Sequence, residues 1–175
     1  EATKRHPGRL IMAAGVDPRR PHAGALVERA ATEYGAKAVK LYPPTGWYPN
    51  DRIAYPIYEK CVESGLVADF HTGPIFGATR SKYSRPEYLD DVAKDFPDLI
   101  IQATHTGHGL WHEAIAVARA NHNIICDIAG WQLWLNISQP VRLYQEVRWM
   151  MDMLGPDRMM FASDFTSGDP TPYLR

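Results

Sequence analysis

Four short apolar runs in this chain each end in a polar side chain, and a helix-like segment precedes each one. They are Ala36–Lys40 (AKAVK), Leu66–His71 (LVADFH), Leu99–His105 (LIIQATH) and Met159–Asp164 (MMFASD). Two further runs, Arg9–Val16 and Asn123–Ile128, bring the strand candidates to six. Helical patterns separate them over Ala23–Tyr34, Ala54–Ser64, a segment opening at Ser84, Leu110–Ala120 and Pro140–Leu154. Gly35 and Gly65 stand where helix C-caps are expected. Ser84-Arg85-Pro86-Glu87 reads as a capping box with proline in the first turn. Strict alternation of strand and helix implies parallel strands joined by crossovers.

Two architectures fit that alternation, an open doubly wound sheet and a parallel (β/α)8 barrel. The sequence holds no G-x-G-x-x-G turn and no Walker sequence, which favours the barrel. A complete barrel needs about 250 residues, and this chain has 175. The expectation is therefore an α/β chain forming one domain over residues 1–175, an incomplete TIM barrel with about strands 3 to 8 present. The start at Glu1, just ahead of a strand, places the missing strands at the N-terminus.

In a barrel the C-terminal strand ends meet at one mouth, so Lys40, His71, His105 and Asp164 are expected to converge there. Such a set of side chains suits a hydrolytic metal site. Side-chain alternation along strands puts Val67, Asp69 and His71 on one face. It likewise groups Ile101, Ala103 and His105, and Met160, Ala162 and Asp164. Each polar residue then caps a barrel-facing row. Asp69 on that face is also a natural partner for the Lys40 ammonium.

Loops at the expected mouth are aromatic: Trp47 and Tyr48 follow one strand, Trp131 and Trp134 another. With Arg80 or Arg52 they would hold a flat substrate and grip a carboxylate. His108 is expected to rim the pocket. His108 and His112 are four apart, but Gly109 between them argues for a loop and against a shared helical face. His112 reads as a surface helix residue, His122 as one following a helix end, where its charge would suit the dipole, and His22 as a loop residue.

The segments VKLYPPTGWYPND, YPIYEKC, FHTG, FPDLIIQATHTG and LGPDRMMFASDF, in this order and spacing, resemble the amidohydrolase superfamily. The similarity is to its amidohydrolase-related branch (amidohydrolase 2), which includes the 2-amino-3-carboxymuconate 6-semialdehyde decarboxylase-like enzymes, and it covers almost the whole chain. The resemblance implies that His71 is the strand-5 metal ligand. It makes His105 the strand-6 histidine that faces substrate, and Asp164 the strand-8 aspartate that binds metal and handles a proton. Lys40 occupies the position at which binuclear relatives carry a bridging lysine. The family's strand-1 H-x-H pair has no counterpart, since His6 has no histidine two residues away.

The resulting expectation is a hydrolase using a divalent ion, zinc in the first instance, to activate water. A metal-dependent decarboxylase on the same scaffold is the alternative, and an inactive barrel fragment the third reading. Without the H-x-H pair, this chain by itself is expected to bind metal weakly and turn over little. The expected partner is a small aromatic or carboxylated substrate, with Trp47, Arg80, His108 and Trp131 as its contacts. By analogy with related enzymes the intact enzyme is expected to be a homodimer.

Charge and composition narrow the remaining classes. A net charge of -1 with 22% charged residues gives no bias toward nucleic acid or an anionic membrane. No apolar run approaches the roughly 20 residues that span a bilayer. Cys61 and Cys126 form no C-x-x-C pair, so a reduced, cytoplasmic setting is expected.

Overall fold

The computed structural model describes residues 1–131 and 139–165. Among them, six parallel strands form one sheet in the order of the sequence: β1 (Ala13–Gly15), β2 (Ala38–Leu41), β3 (Val67–His71), β4 (Ile101–Thr104), β5 (Ile124–Asp127) and β6 (Met159–Met160). A doubly wound sheet reverses its strand order at a switch point, and this one does not. Sequential order is the barrel arrangement.

Between the strands run α2 (Ala23–Thr32), α3 (Tyr55–Ser64), α4 (Tyr88–Asp95), α5 (Trp111–Ala120) and α6 (Pro140–Leu154), with a short α1 (Ala2–Arg5) ahead of β1. Gly65 caps α3 in the left-handed conformation, its N–H reaching the Cys61 and Val62 carbonyls. The Ser84 capping box does not form. The Ser84 hydroxyl donates instead to the carbonyls of Gly73, at 2.7 Å, and Ser81, at 2.9 Å. The helix that follows begins only at Tyr88.

The core lies between the sheet and its helices. Val39, Leu41, Ala68, Phe70, Ile101, Ala103, Ile124 and Cys126 point to that side and are buried, packed against Val27, Ile57, Tyr58, Leu89, Val92 and Ile115. Burying such side chains supplies about 1.5–3 kcal/mol for each large one.

The opposite face, which a closed barrel turns inward, is more polar. Register pairs Lys40 with Asp69, Asp69 with Gln102 and Gln102 with Ile125 across that face. This corrects the expected grouping in β4. Gln102 and Thr104 share the face of Asp69 and His71, whereas Ile101 and Ala103 point into the helical layer. The strand stops at Thr104, and His105 takes φ +70. That left-handed turn, and not strand alternation, brings its side chain to the mouth.

Candidate active site

A cavity of about 450 Å³ opens at the C-terminal end of the sheet. Lys40, Tyr42, His71, Thr104, His105, His108 and Asp164 line it, and Pro74, Ile75 and Phe76 supply an apolar wall. Four side chains expected to converge from four separate strands therefore do so.

His71 ends β3 and is 4% exposed. Its ring lies 4.8 Å from that of Tyr42 and 4.7 Å from that of His105, centroid to centroid. Burial, reinforced by His105 and the Lys40 ammonium, pushes its pKa down to about 3. The imidazole is therefore neutral at physiological pH. Its Nε2 is buried and has no hydrogen-bond partner among the described residues.

His105 is held from three sides. Its backbone N–H donates to Asp127 Oδ1 at 2.8 Å, and its carbonyl accepts from Trp131 Nε1–H at 2.8 Å. Its ring Nδ1 lies 2.8 Å from the Ala129 carbonyl, which can only accept. Nδ1 accordingly carries the proton and Nε2 is the basic atom of the neutral ring. His108 stacks on His105 at 4.9 Å, and burial followed by the His105 charge lowers its pKa to about 4.

Asp164 lies in a left-handed turn at φ +56. Its Oδ2 and the His108 ring both approach Gly130, where a Cβ would sit 3.4 Å and 3.6 Å from them. Gly130 at φ +76 leaves that space open. The carboxylate also raises the Tyr42 pKa, after burial as the larger cause, so the phenol stays protonated.

Lys40 Nζ donates to Asp69 Oδ1 at 2.9 Å and to Thr104 Oγ1 at 3.1 Å, and Thr104 in turn donates to Asp69. The ammonium is thus paired with an interior carboxylate inside the cavity wall. Trp131 is buried behind His105, away from the lining, and Trp47 is buried beside a neighbouring cavity. Arg80 is exposed and does not line the main cavity, and Arg52 sits over the Tyr55 ring on the outer surface. His112 pairs with Glu146 at the surface, and Trp134 lies outside the described residues.

Asp127 was not singled out by sequence. It is 1% exposed and accepts from the His105 and Ala129 backbone N–H groups through Oδ1 and from Gln102 Nε2 through Oδ2. The available signal was that the NIICDI strand, like the other four, has a polar residue near its end.

Among the described residues, no three His, Cys, Asp or Glu side chains gather closely enough to hold a metal ion by themselves. An unpartnered neutral imidazole nitrogen in the same cavity as a carboxylate nonetheless fits part of a coordination sphere for a borderline divalent ion.

The sequence pattern of the amidohydrolase family matches residues 1–171. The chain belongs to the amidohydrolase family. Over 47% of its length it is 32% identical to the protein y4mH of Sinorhizobium fredii, covering 31% of that protein. A TIM-barrel protein from Bordetella bronchiseptica superposes with a TM-score of 0.75 at 23% identity, covering 94% of this chain and 57% of that one. A 5-carboxyvanillate decarboxylase from Novosphingobium aromaticivorans, complexed with manganese and 4-hydroxy-3-methoxy-5-nitrobenzoic acid, gives 0.72 at 16%, covering 95% and 57%. This family member is thus a partial TIM barrel, spanning about three-fifths or less of these relatives. Among the described residues of the amidohydrolase chain, no helix is long and apolar enough to cross a membrane.

The buried histidines carry an acid-stability consequence. The unfolded imidazole titrates near 6.5, whereas His71 in the fold titrates at about 3. Below pH 6.5 the unfolded state takes up a proton that the native state refuses, so stability falls with pH across that interval. The loss from His71 is expected to reach roughly 3 kcal/mol by pH 4. Urea midpoints measured from pH 7 to pH 4 should decline, and decline less steeply in a His71→Asn variant.

Proposed function

We propose that the cavity is the centre of a metal-dependent enzyme acting on a small carboxylated, ring-sized substrate, and that its reaction is non-oxidative decarboxylation. The observation that carries the metal is the buried, neutral, unpartnered Nε2 of His71 in the same cavity as Asp164. These two side chains would hold the ion. When bound, it would supply Lewis-acid polarisation of a substrate oxygen and a water of lowered pKa.

The remaining work falls to the chain's own residues. Lys40, already paired with Asp69, offers its remaining N–H to a substrate oxygen from the cavity wall, and Pro74, Ile75 and Phe76 shield one side from water. His105, tied through Nδ1–H, presents Nε2 as the atom that takes up a proton and returns it to the carbon that loses CO2. The manganese-bound decarboxylase of like fold lends support to this reaction and to a divalent ion other than zinc. Hydrolysis is the second reading. It is favoured by the Asp164 carboxylate in the cavity, a base suited to deprotonating water.

The test is an assay of full-length protein loaded with Mn2+ or Zn2+, against hydroxylated benzoic acids and against aryl amides and lactones. Decarboxylation predicts CO2 release, with one solvent deuteron at the vacated ring carbon. Cleavage of an amide or lactone without CO2 would replace the first reading with the second.

A further inference from the structure

One carboxylate oxygen, Asp127 Oδ1, ties together the ends of two adjacent strands. It accepts from the His105 N–H at 2.8 Å, just beyond β4, and from the Ala129 N–H at 2.9 Å, just beyond β5. The Ala129 carbonyl in turn accepts from His105 Nδ1–H at 2.8 Å. These three bonds close a ring that runs from Oδ1 through the His105 backbone and side chain to Ala129 and back.

Asp127 is itself held still. Its Oδ2 takes the Gln102 Nε2–H at 2.6 Å, its carbonyl takes the Thr106 hydroxyl, and the residue is 1% exposed. The backbone at one end of the ring needs such support. His105 and Thr106 take φ +70 and +44, angles that residues with a Cβ avoid, and residue 127 bonds to both of them. At the other end, Oδ1 and the N–H two residues on form an Asx turn, which sets the direction of the Ala129 peptide. An unrestrained neutral imidazole carries its proton more often on Nε2. Which nitrogen holds it in a protein follows from the hydrogen bond made by the other, and here the Ala129 carbonyl draws it to Nδ1.

We propose that Asp127 is the positioning residue for His105. Acting through the backbones of His105 and Ala129, it fixes the imidazole in the Nδ1–H tautomer and leaves Nε2 as the basic atom. The tautomer stands on the closed ring of bonds alone. Its consequence for turnover rests on the proton-transfer reading of Nε2 given above.

The test uses metal-free, full-length protein labelled with 15N-histidine. Long-range proton–nitrogen correlation spectra at mildly alkaline pH report which ring nitrogen is protonated, and loss of signals in His105→Gln identifies the residue. Wild type is expected to show His105 as Nδ1–H. Asp127→Asn keeps an amide oxygen for both N–H groups and should keep the tautomer. Asp127→Ala should shift it toward Nε2–H and lower Mn2+-dependent decarboxylation of hydroxylated benzoic acids about a hundredfold, the lower range of general acid–base catalysis. Asn123→Ala is the stability control. It removes a donor from the Ala93, Phe96 and Leu99 carbonyls at the opposite end of β5, so it should lower the melting temperature and leave tautomer and turnover unchanged. A wild-type ring protonated at Nε2, a tautomer retained in Asp127→Ala, or one lost in Asp127→Asn would overturn the proposal. The first and last of these hold even if Asp127→Ala does not fold. A shifted tautomer in Asp127→Ala with undiminished turnover would retain Asp127 as the positioning residue and defeat the proton-transfer reading.

Discussion

Gly73→Ala is expected to destabilise the protein by about 3–5 kcal/mol and to displace the active-site loop. Gly73 follows β3 at φ +89, and a Cβ there would lie 2.0 Å from the Gly107 carbonyl oxygen and 2.8 Å from His108 Cβ. The obstruction is backbone, which cannot rotate away as a side chain tip can. Overpacking of this kind costs about 1–3 kcal/mol, and the left-handed backbone adds strain of similar size for a residue with a Cβ. The same contact joins the loop after β3 to the turn that carries His105 and His108. Gly107 N–H donates to the Thr72 hydroxyl at 2.8 Å, and Gly73 N–H donates to the Ser84 carbonyl at 2.7 Å. Forcing these apart moves two histidines at once. Gly35→Ala is the control, since Gly35 also has positive φ but nothing within 4 Å. It should cost only the backbone strain, about 1–2 kcal/mol. Urea denaturation of both variants measures the difference, and equal losses would show that the close approach does not matter.

His71→Asn is expected to lower turnover roughly a thousandfold, equivalent to about 4 kcal/mol of barrier, while leaving the protein folded. The separation of the two effects follows from the environment of the ring. His71 contributes an unpartnered buried nitrogen, which costs stability at any pH, and a depressed pKa, which costs stability below about pH 6.5, so its loss is not expected to unfold the chain. Turnover of the variant and wild type should be compared at saturating Mn2+, alongside their urea midpoints. Loss of activity with an intact midpoint supports a ligand role. A variant that retains activity would remove His71 from the chemistry.

The strand and helix alternation was legible because every crossover unit repeats the same signals: an apolar run, a turn residue, an amphipathic helix. The convergence of Lys40, His71, His105 and Asp164 followed from topology alone. What periodicity could not reveal was how His105 reaches the mouth. Ile101 and Ala103 set a two-residue spacing that His105 continues in the sequence, yet the chain leaves the strand at Thr104 and passes through φ +70, +44 and +41 at His105, Thr106 and His108. Those angles are held by tertiary bonds from Asp127 and Trp131, which no local pattern encodes. The Ser84 capping box failed for a related reason, because a distant carbonyl at Gly73 took the hydroxyl. The arginines were the least legible feature. Arg19, Arg20, Arg52 and Arg80 all lie in loops or at their edges, and only the fold shows that Arg19 is consumed by Asp17 and that Arg20 borders the neighbouring cavity, whereas Arg52 and Arg80 stand outside it.

Whether His71 holds a metal ion can be read by pulsed electron paramagnetic resonance of the full-length protein loaded with Mn2+. An imidazole nitrogen coupling is expected, diminished in His71→Asn and unchanged in His112→Asn, the surface histidine paired with Glu146. A coupling that is identical in wild type and His71→Asn, or absent from both, would contradict a ligand role for His71.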